Sequence, residues 1–465
     1  YGLERYPVML RKALEIPLAL YLDWHLSKDD LIHSYSNSIP LRKNSSGYAA
    51  AAERIFGRSA HLLSPAEWAA LVVLGRQSQL SRSRFRLRLQ RLLASGNIRS
   101  SDAEVEEIVR DVFRSSARVA FADHSGHFTT WLYQLDRSLQ GRFDSTIRAQ
   151  WQEKIRDIVQ NELKILESFA VEEAAVVVLS LHDDHLELEA LVGSQDFDSG
   201  QVNGALAVRH AGSTLKPFLY ALSMEGSYRP YTMIEDRETH VPLRGEVVYS
   251  PRNYDLNHWG QMSLRTALAT SRNSPAIALL QSASRQNFYR LLKRGNLIEQ
   301  MEGAEATGPG MALGAGGVRL LHLWRAYGAL ASGGRLLPLH LGERLIYGKQ
   351  ERLVSERSAT YVTHILSDRQ ARRMSYQKRN FLDFPFAVAA KTGTSKDFKD
   401  AWTVGYSPDF VVGVWAGNFT GKPMNHVSGS YGAGRIFQQV MRLVNVRRRP
   451  FAYPGWKKIQ VCPAS

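Results

Sequence analysis

Apolar and polar positions change rhythm along the chain, and the change divides it. Up to about residue 95 the pattern is helical, with Leu14, Ile16, Leu18, Leu20 and Leu22 marking an early apolar segment. Ser27 predicts an N-cap ahead of Lys28-Asp-Asp-Leu-Ile32, with acids in the first turn. Ser64-Pro-Ala-Glu67 combines a cap, a proline at the first helical position and a glutamate at the third, and Trp68 to Leu74 continues as an apolar helix. Residues 96–168 are mixed and charged, with helical runs near 102–114 and 145–168, and read as a connector. Near Val171 the texture changes. Ala174 to Leu179 is apolar and β-branched, His182-Asp-Asp-His185 is polar, and Leu186 to Val192 alternates, which predicts a β-hairpin with a polar turn. Helical patterns dominate 213–335 around a polar loop near 245–260. Ala401–Gly405 and Phe410–Gly417 predict two more strands, separated by Tyr406-Ser-Pro-Asp. Strands, a helical middle and strands again imply an α+β domain: one antiparallel sheet with strands from both ends of the domain and helices around it.

Composition narrows the class. At 465 residues, two or three domains are expected, and 44% hydrophobic with 22% charged residues is the profile of a folded chain. No apolar run approaches the roughly 18 residues of a membrane span. The single cysteine, Cys462, excludes an internal disulfide framework and argues against a cysteine-built zinc site. Lys and Arg exceed Asp and Glu by 59 − 44 = 15 charges, which favours anionic partners. Of the basic runs, Arg447–Arg449 is short. Arg82 to Arg91 reads as a solvated helix face, with an anionic membrane surface as the sharper alternative. No nucleic-acid-binding module is recognisable, so nucleic acid is not an expected partner. His182-Asp-Asp-His185 reads as a turn rather than a metal cluster, and no metal or cofactor is expected. The chain starts at Tyr1 rather than Met, and an anchor or signal is expected upstream.

Three short motifs carry candidate chemistry. Ser213-Thr-Leu-Lys216 precedes the apolar run from Phe218, so Ser213 should sit at a helix start with Lys216 three residues on, on the same face. Serine needs a base to become a nucleophile, and a lysine can serve if burial or a nearby cation lowers its pKa. Ser271-Arg-Asn273 lies between helical segments and would present a hydroxyl and a carboxamide to one cleft. Lys391-Thr-Gly-Thr394 follows the apolar Ala387–Ala390 and should lie on a strand. Lys391 and Gly393 would then face one way and Thr392 and Thr394 the other. A cation and hydroxyls on an edge strand could hold a carboxylate, and a glycine lets another backbone come close.

In this order, S-x-x-K, S-x-N and K-T-G are the motif set of penicillin-binding proteins and class A β-lactamases. The flanking segments Gly212 to Leu222, Asn253-Tyr-Asp255, Asp400 to Tyr406 and Val412 to Trp415 resemble a class A penicillin-binding protein, of the 1C type. Arg11-Lys-Ala-Leu-Glu15, Leu22 to Lys28, Tyr35–Asn37 and Phe56–Ser59 resemble the same family's glycosyltransferase domain, which is lysozyme-like and helical. On that resemblance, residues 1–97 are the C-terminal part of a glycosyltransferase domain and 98–170 a connector. Residues 171–450 are then a penicillin-binding transpeptidase domain, and 451–465 a tail or the start of a further domain.

The resemblance implies roles. Ser213 would be the acylated nucleophile and Lys216 its base. Ser271 would relay a proton and Asn273 would hold the donor peptide. Lys391, Thr392, Gly393 and Thr394 would bind the terminal carboxylate, and the Ser213 and Thr394 N–H groups would form the oxyanion hole. Substrates would be peptidoglycan stem peptides, with lipid-linked glycan for the glycosyltransferase and β-lactams as inhibitors. The location would be the bacterial periplasm or the outer face of the cytoplasmic membrane. Glu15 matches the second of the family's two glycosyltransferase glutamates. The first is expected upstream of Tyr1, so this chain by itself is not expected to polymerise glycan. A carboxypeptidase or β-lactam hydrolase on the same site, and a non-catalytic cell-wall scaffold, remain as alternatives.

Overall fold

The computed structural model describes residues 17–453, apart from 18, 20, 42–44, 78–79, 114–124, 140–142, 198–201, 243–247, 299–307, 344 and 374–380. Glu15 and nearly all of the 451–465 tail lie outside the described residues. The chain forms two compact units, residues 1–123 and 124–465.

The first unit is helical. Helices α1 (Lys28–Ser38), α2 (Tyr48–Phe56), α3 (Pro65–Arg76), α4 (Arg82–Ser95) and α5 (Asp102–Phe113) follow one another. Both predicted caps form. The Ser27 hydroxyl accepts from the Asp30 N–H, and Ser64 from Glu67, each with the acid side chain reciprocating as a capping box. Phe85, Leu89 and Leu93 recur every four residues and turn one side of α4 into a core with Ile55, Phe56, Leu71 and Leu74. Arg82, Arg84, Arg86, Arg88 and Arg91 are left exposed, and Arg86 meets Glu106 at 2.8 Å. Val105, Ile108, Val109 and Val112 bring α5 into this core, whereas the helices of 126–166 pack in the second unit. The 98–170 stretch is therefore shared between the units, because each of its amphipathic helices buries its stripe in a different core.

The second unit is built on a mixed sheet of seven strands. Helices α6 (Gly126–Leu135) and α7 (Ala149–Leu166) precede the predicted hairpin β1 (Glu173–Leu181) and β2 (Leu186–Val192). Helices α8 (Lys216–Glu225), α9 (Leu264–Ala269), α10 (Asn273–Ala283) and α11 (Leu320–Ala331) follow. Then come β3 (Leu339–Gly342), β4 (Leu345–Tyr347), α12 (Glu356–Ser367), β5 (Ala389–Thr394), β6 (Asp400–Tyr406), β7 (Phe410–Gly417) and α13 (Gly432–Val444). The strand order is β4-β3-β2-β1-β7-β6-β5. Strands from both ends of the domain do share one sheet. It is not wholly antiparallel, however, because β3 joins β2 in parallel through Leu339–Leu186 and His340–Glu187. Those middle strands are short runs after Pro338, too brief to announce themselves by periodicity.

Alternation along β1 explains the layers. Ala174, Val176 and Val178 pack under α7 and α13, while Ala175, Val177 and Leu179 face the helical body that contains α8, α10 and α11. Both faces are covered, which is why the strand reads as a continuous apolar run. Gly413 on β7 is where α11 comes closest: a Cβ there would lie 0.7 Å from Nε1 of the buried Trp324. Gly413→Ala should therefore displace that indole and lower stability by about 3 kcal/mol, read as a fall in the urea midpoint.

Candidate active site

Ser213 lies on a single 3-10 turn, Gly212–Leu215, that runs directly into α8, whose first residue is Lys216. Thr214 closes the turn through its hydroxyl to the Ala211 carbonyl at 2.8 Å, and the Tyr327 hydroxyl donates to the Thr214 carbonyl at 2.8 Å. Ser213 itself is half-buried, and its side chain has no hydrogen bond among the described residues. Strand β5 forms the other wall. Among the described residues it is the edge strand of the sheet, paired with β6 alone. A Cβ on Gly212 would lie 2.7 Å from the Thr394 carbonyl oxygen and 2.9 Å from its nitrogen, and one on Gly393 would lie 2.6 Å from the Ala211 carbonyl oxygen. Glycine at both positions is what lets the serine turn and the Lys391–Thr394 strand approach backbone to backbone.

The Ser271–Asn273 turn between α9 and α10 ties the two lysines together. Lys216 Nζ donates to the carbonyls of Ser271 at 2.7 Å and Arg272 at 2.9 Å, and to Asn273 Oδ1 at 2.6 Å. Lys391 Nζ donates to the Ser271 hydroxyl at 2.7 Å and to the Thr392 carbonyl at 2.8 Å. Ser271 adopts φ +61°, a left-handed conformation that a serine pays strain to hold. It thus offers its carbonyl to one lysine and its hydroxyl to the other.

Both amines are stripped of water. Burial, followed by the charges of Lys391 and Arg272, holds the Lys216 amine well below the usual lysine range, with Asp236 opposing. Its three oxygen acceptors favour the ammonium, but not enough to offset desolvation and two nearby cations. Burial alone brings Lys391 down to about 7.

Other side chains depart from expectation or were invisible in the motifs. Asn273 spends its amide inside the protein: Oδ1 accepts from Lys216, and Nδ2 donates to the Arg252 carbonyl. It therefore links the Lys216 amine to the Arg252 backbone. The Thr394 hydroxyl accepts from the Gly429 N–H at 3.0 Å, and Thr392 is buried. Arg272, in the middle of its motif, is buried against a set of partners that the motif does not contain. Its Nε meets the fully buried Asp236 at 2.7 Å, its Nη1 meets Asp255 at 2.8 Å, and its guanidinium lies 4.2 Å from the Trp259 ring centroid. Asn253 completes the frame, donating to Asp236 at 2.9 Å and accepting from the Asn273 N–H at 2.8 Å. The Asn253-Tyr-Asp255 segment was the one sequence signal for this frame.

Comparison with known proteins places the chain in a family. A family described as "Penicillin binding protein transpeptidase domain" matches residues 175–442, a stretch that contains all three motifs. The chain belongs to the penicillin-binding protein transpeptidase family. A second family, "Transglycosylase", matches residues 3–94, including Arg11 to Glu15. That pairing is the class A arrangement. Penicillin-binding protein 1C of Escherichia coli is 28% identical over 93% of this chain and 56% of its own length. Penicillin-binding protein 1A of Neisseria cinerea is 31% identical over 53% of this chain and 32% of its own. The chain thus spans about half, or less, of the length of these relatives. Among solved structures, penicillin-binding protein 1A from Haemophilus influenzae has a TM-score of 0.65 at 17% identity, covering 93% of this chain and 88% of that one. The PonA1 protein from Mycobacterium tuberculosis in complex with penicillin V has a TM-score of 0.58 at 20% identity, covering 72% and 96%. These likenesses show the fold.

In this transpeptidase domain Asp236→Asn removes the buried one of the two anions that oppose Arg272. Breaking a buried pair of this kind costs about 3 kcal/mol, measurable by urea unfolding. It also removes the charge that raises the Lys216 pKa, so the acid limb of any Lys216-dependent reaction should move to lower pH. A purely structural role for Asp236 would leave that limb in place.

Proposed function

We propose that the second unit is a serine D,D-transpeptidase of peptidoglycan synthesis, and that β-lactams acylate Ser213. The observation that carries this reading is the placement of two buried lysines on either side of Ser271, next to the serine turn. A neutral Lys216 accepts the Ser213 proton as Oγ attacks the carbonyl of the penultimate D-Ala. The Ser213 and Thr394 N–H groups take the developing oxyanion. The Ser271 hydroxyl, hydrogen-bonded to Lys391, passes a proton to the departing D-Ala amine. Lys391 in its charged form, with the Thr392 and Thr394 hydroxyls and Gly393, receives the terminal carboxylate, and the edge of β5 pairs with the peptide. An amine of a second stem peptide then takes the acyl group and frees Ser213. Asn273 and Arg272 act by holding Lys216.

The transglycosylase match supports a class A enzyme that also uses lipid-linked glycan, with Glu15 in that part of the chain. Such work takes place on the cell wall, outside the cytoplasm, and we assign the periplasm or the outer face of the cytoplasmic membrane. No helix among the described residues is long and apolar enough to cross a membrane.

Labelled penicillin should form a covalent adduct whose mass maps to Ser213, and Ser213→Ala should abolish it. Equal labelling of the alanine variant refutes the reading. Lys216→Arg, which keeps a charge that cannot be given up, should slow acylation by about a thousandfold. Rapid hydrolytic release of the wild-type adduct would make the enzyme a carboxypeptidase or β-lactam hydrolase instead.

A further inference from the structure

The tip of the β1–β2 hairpin carries a side-chain cluster that peptide transfer does not use. The turn His182-Asp183-Asp184-His185 is closed by the His182 N–H donating to the His185 carbonyl at 3.0 Å. Sequence alone reads this as a polar turn, and a turn it is. The fold adds what the sequence cannot show. Glu187 on β2 stands beside Ser180 on β1 and His340 on β3 in the sheet register. The rings of His182 and His185 stack at 4.5 Å with 3° between their planes, and His340 stacks on the far side of His185 at 4.2 Å.

The polar atoms converge. His182 Nε2 lies 3.4 Å from Glu187 Oε2, and His185 Nε2 lies 3.4 Å from Glu187 Oε1. One donor atom from each of His182, His185 and Glu187 can be chosen so that all lie within 4.8 Å of one another. A separation of 3.4 Å is long for an N–H···O bond. It matches the nitrogen-to-oxygen edge of a donor tetrahedron around zinc, about 3.4 Å for bonds near 2.1 Å, and the two parallel rings can both take one ion in their planes once His182 turns about its Cβ–Cγ bond. The outer partners are in place too. The Asp184 carboxylate takes His185 Nδ1 at 2.6 Å, which keeps the proton on that nitrogen and leaves Nε2 with its lone pair. Ser180 Oγ, at 3.1 Å from His182 Nε2, is a competing partner of that nitrogen.

We propose that His182, His185 and Glu187 bind a divalent transition-metal ion of the zinc class, with Asp184 orienting His185 and solvent completing the coordination. Two imidazoles and one carboxylate suit zinc and its neighbours rather than calcium or magnesium, which take oxygen donors. The ion would clip the hairpin tip and would be structural. In the sheet, three strands separate β2 from the catalytic strand β5. The site therefore stands or falls independently of the transpeptidase reading.

The test is calorimetric titration of the chelator-treated full chain with zinc chloride at neutral pH, with penicillin labelling as the check on folding. Wild type should take up zinc with micromolar affinity. His182→Ala/His185→Ala should lose one equivalent, and Asp184→Asn should weaken that equivalent at least tenfold. All variants should label with penicillin like wild type. No zinc uptake by wild type, or unchanged stoichiometry and affinity in the double variant, overturns the proposal. Should the double variant fail to label, Glu187→Gln carries the same test, and unchanged binding there also overturns it.

Discussion

A lysine amine held out of water is the constraint around which the transpeptidase unit is arranged. An ammonium buried without counter-charge is costly, and the charges of Lys391 and Arg272 act against Lys216 more strongly than Asp236, itself paired to Arg272, acts for it. The fold meets this by surrounding Nζ with oxygen acceptors from one turn, and the residues of that turn are themselves anchored. Ser271 accepts strain, Arg272 is pinned by Asp236 and Asp255, and Asn273 is tied to Asn253 and Arg252. The result is an amine that gives up its proton far more readily than a lysine in water, one helical turn from a serine whose hydroxyl has no hydrogen bond among the described residues.

The sheet and its helices serve this placement. The covered central strands fix β6 and β7, and β5 hangs from β6 as a free edge. Glycines 212 and 393 allow that edge to lie directly against the serine turn. Trp402 reinforces the seam, its indole N–H donating to the His210 carbonyl at 2.8 Å. An open strand edge thus lies in front of a short set of buried charged groups.

Much of this was legible in the chain. Local signals held wherever a short stretch decides its own structure: the Ser27 and Ser64 caps, the hairpin at 173–192, the strands at 400–417, and the turn at 271–273 between two helices. Motif order pointed to one cleft. What remained hidden was long-range. Nothing near Met233–Asp236 signals that Asp236 will neutralise Arg272, thirty-six positions later. The parallel docking of β3 and the division of 98–170 between two cores are likewise decided by packing. That the Asn273 amide would bond to Lys216 and the Arg252 carbonyl was likewise not visible in its motif.

The most direct measurement of the central claim is the pH dependence of the rate constant for acylation by penicillin. The account predicts a rising limb that is complete well before the ordinary lysine value of 10.5, because the Lys216 amine loses its proton early. A rate still climbing through that ordinary range would contradict it, since the base would then be a lysine no different from one in water.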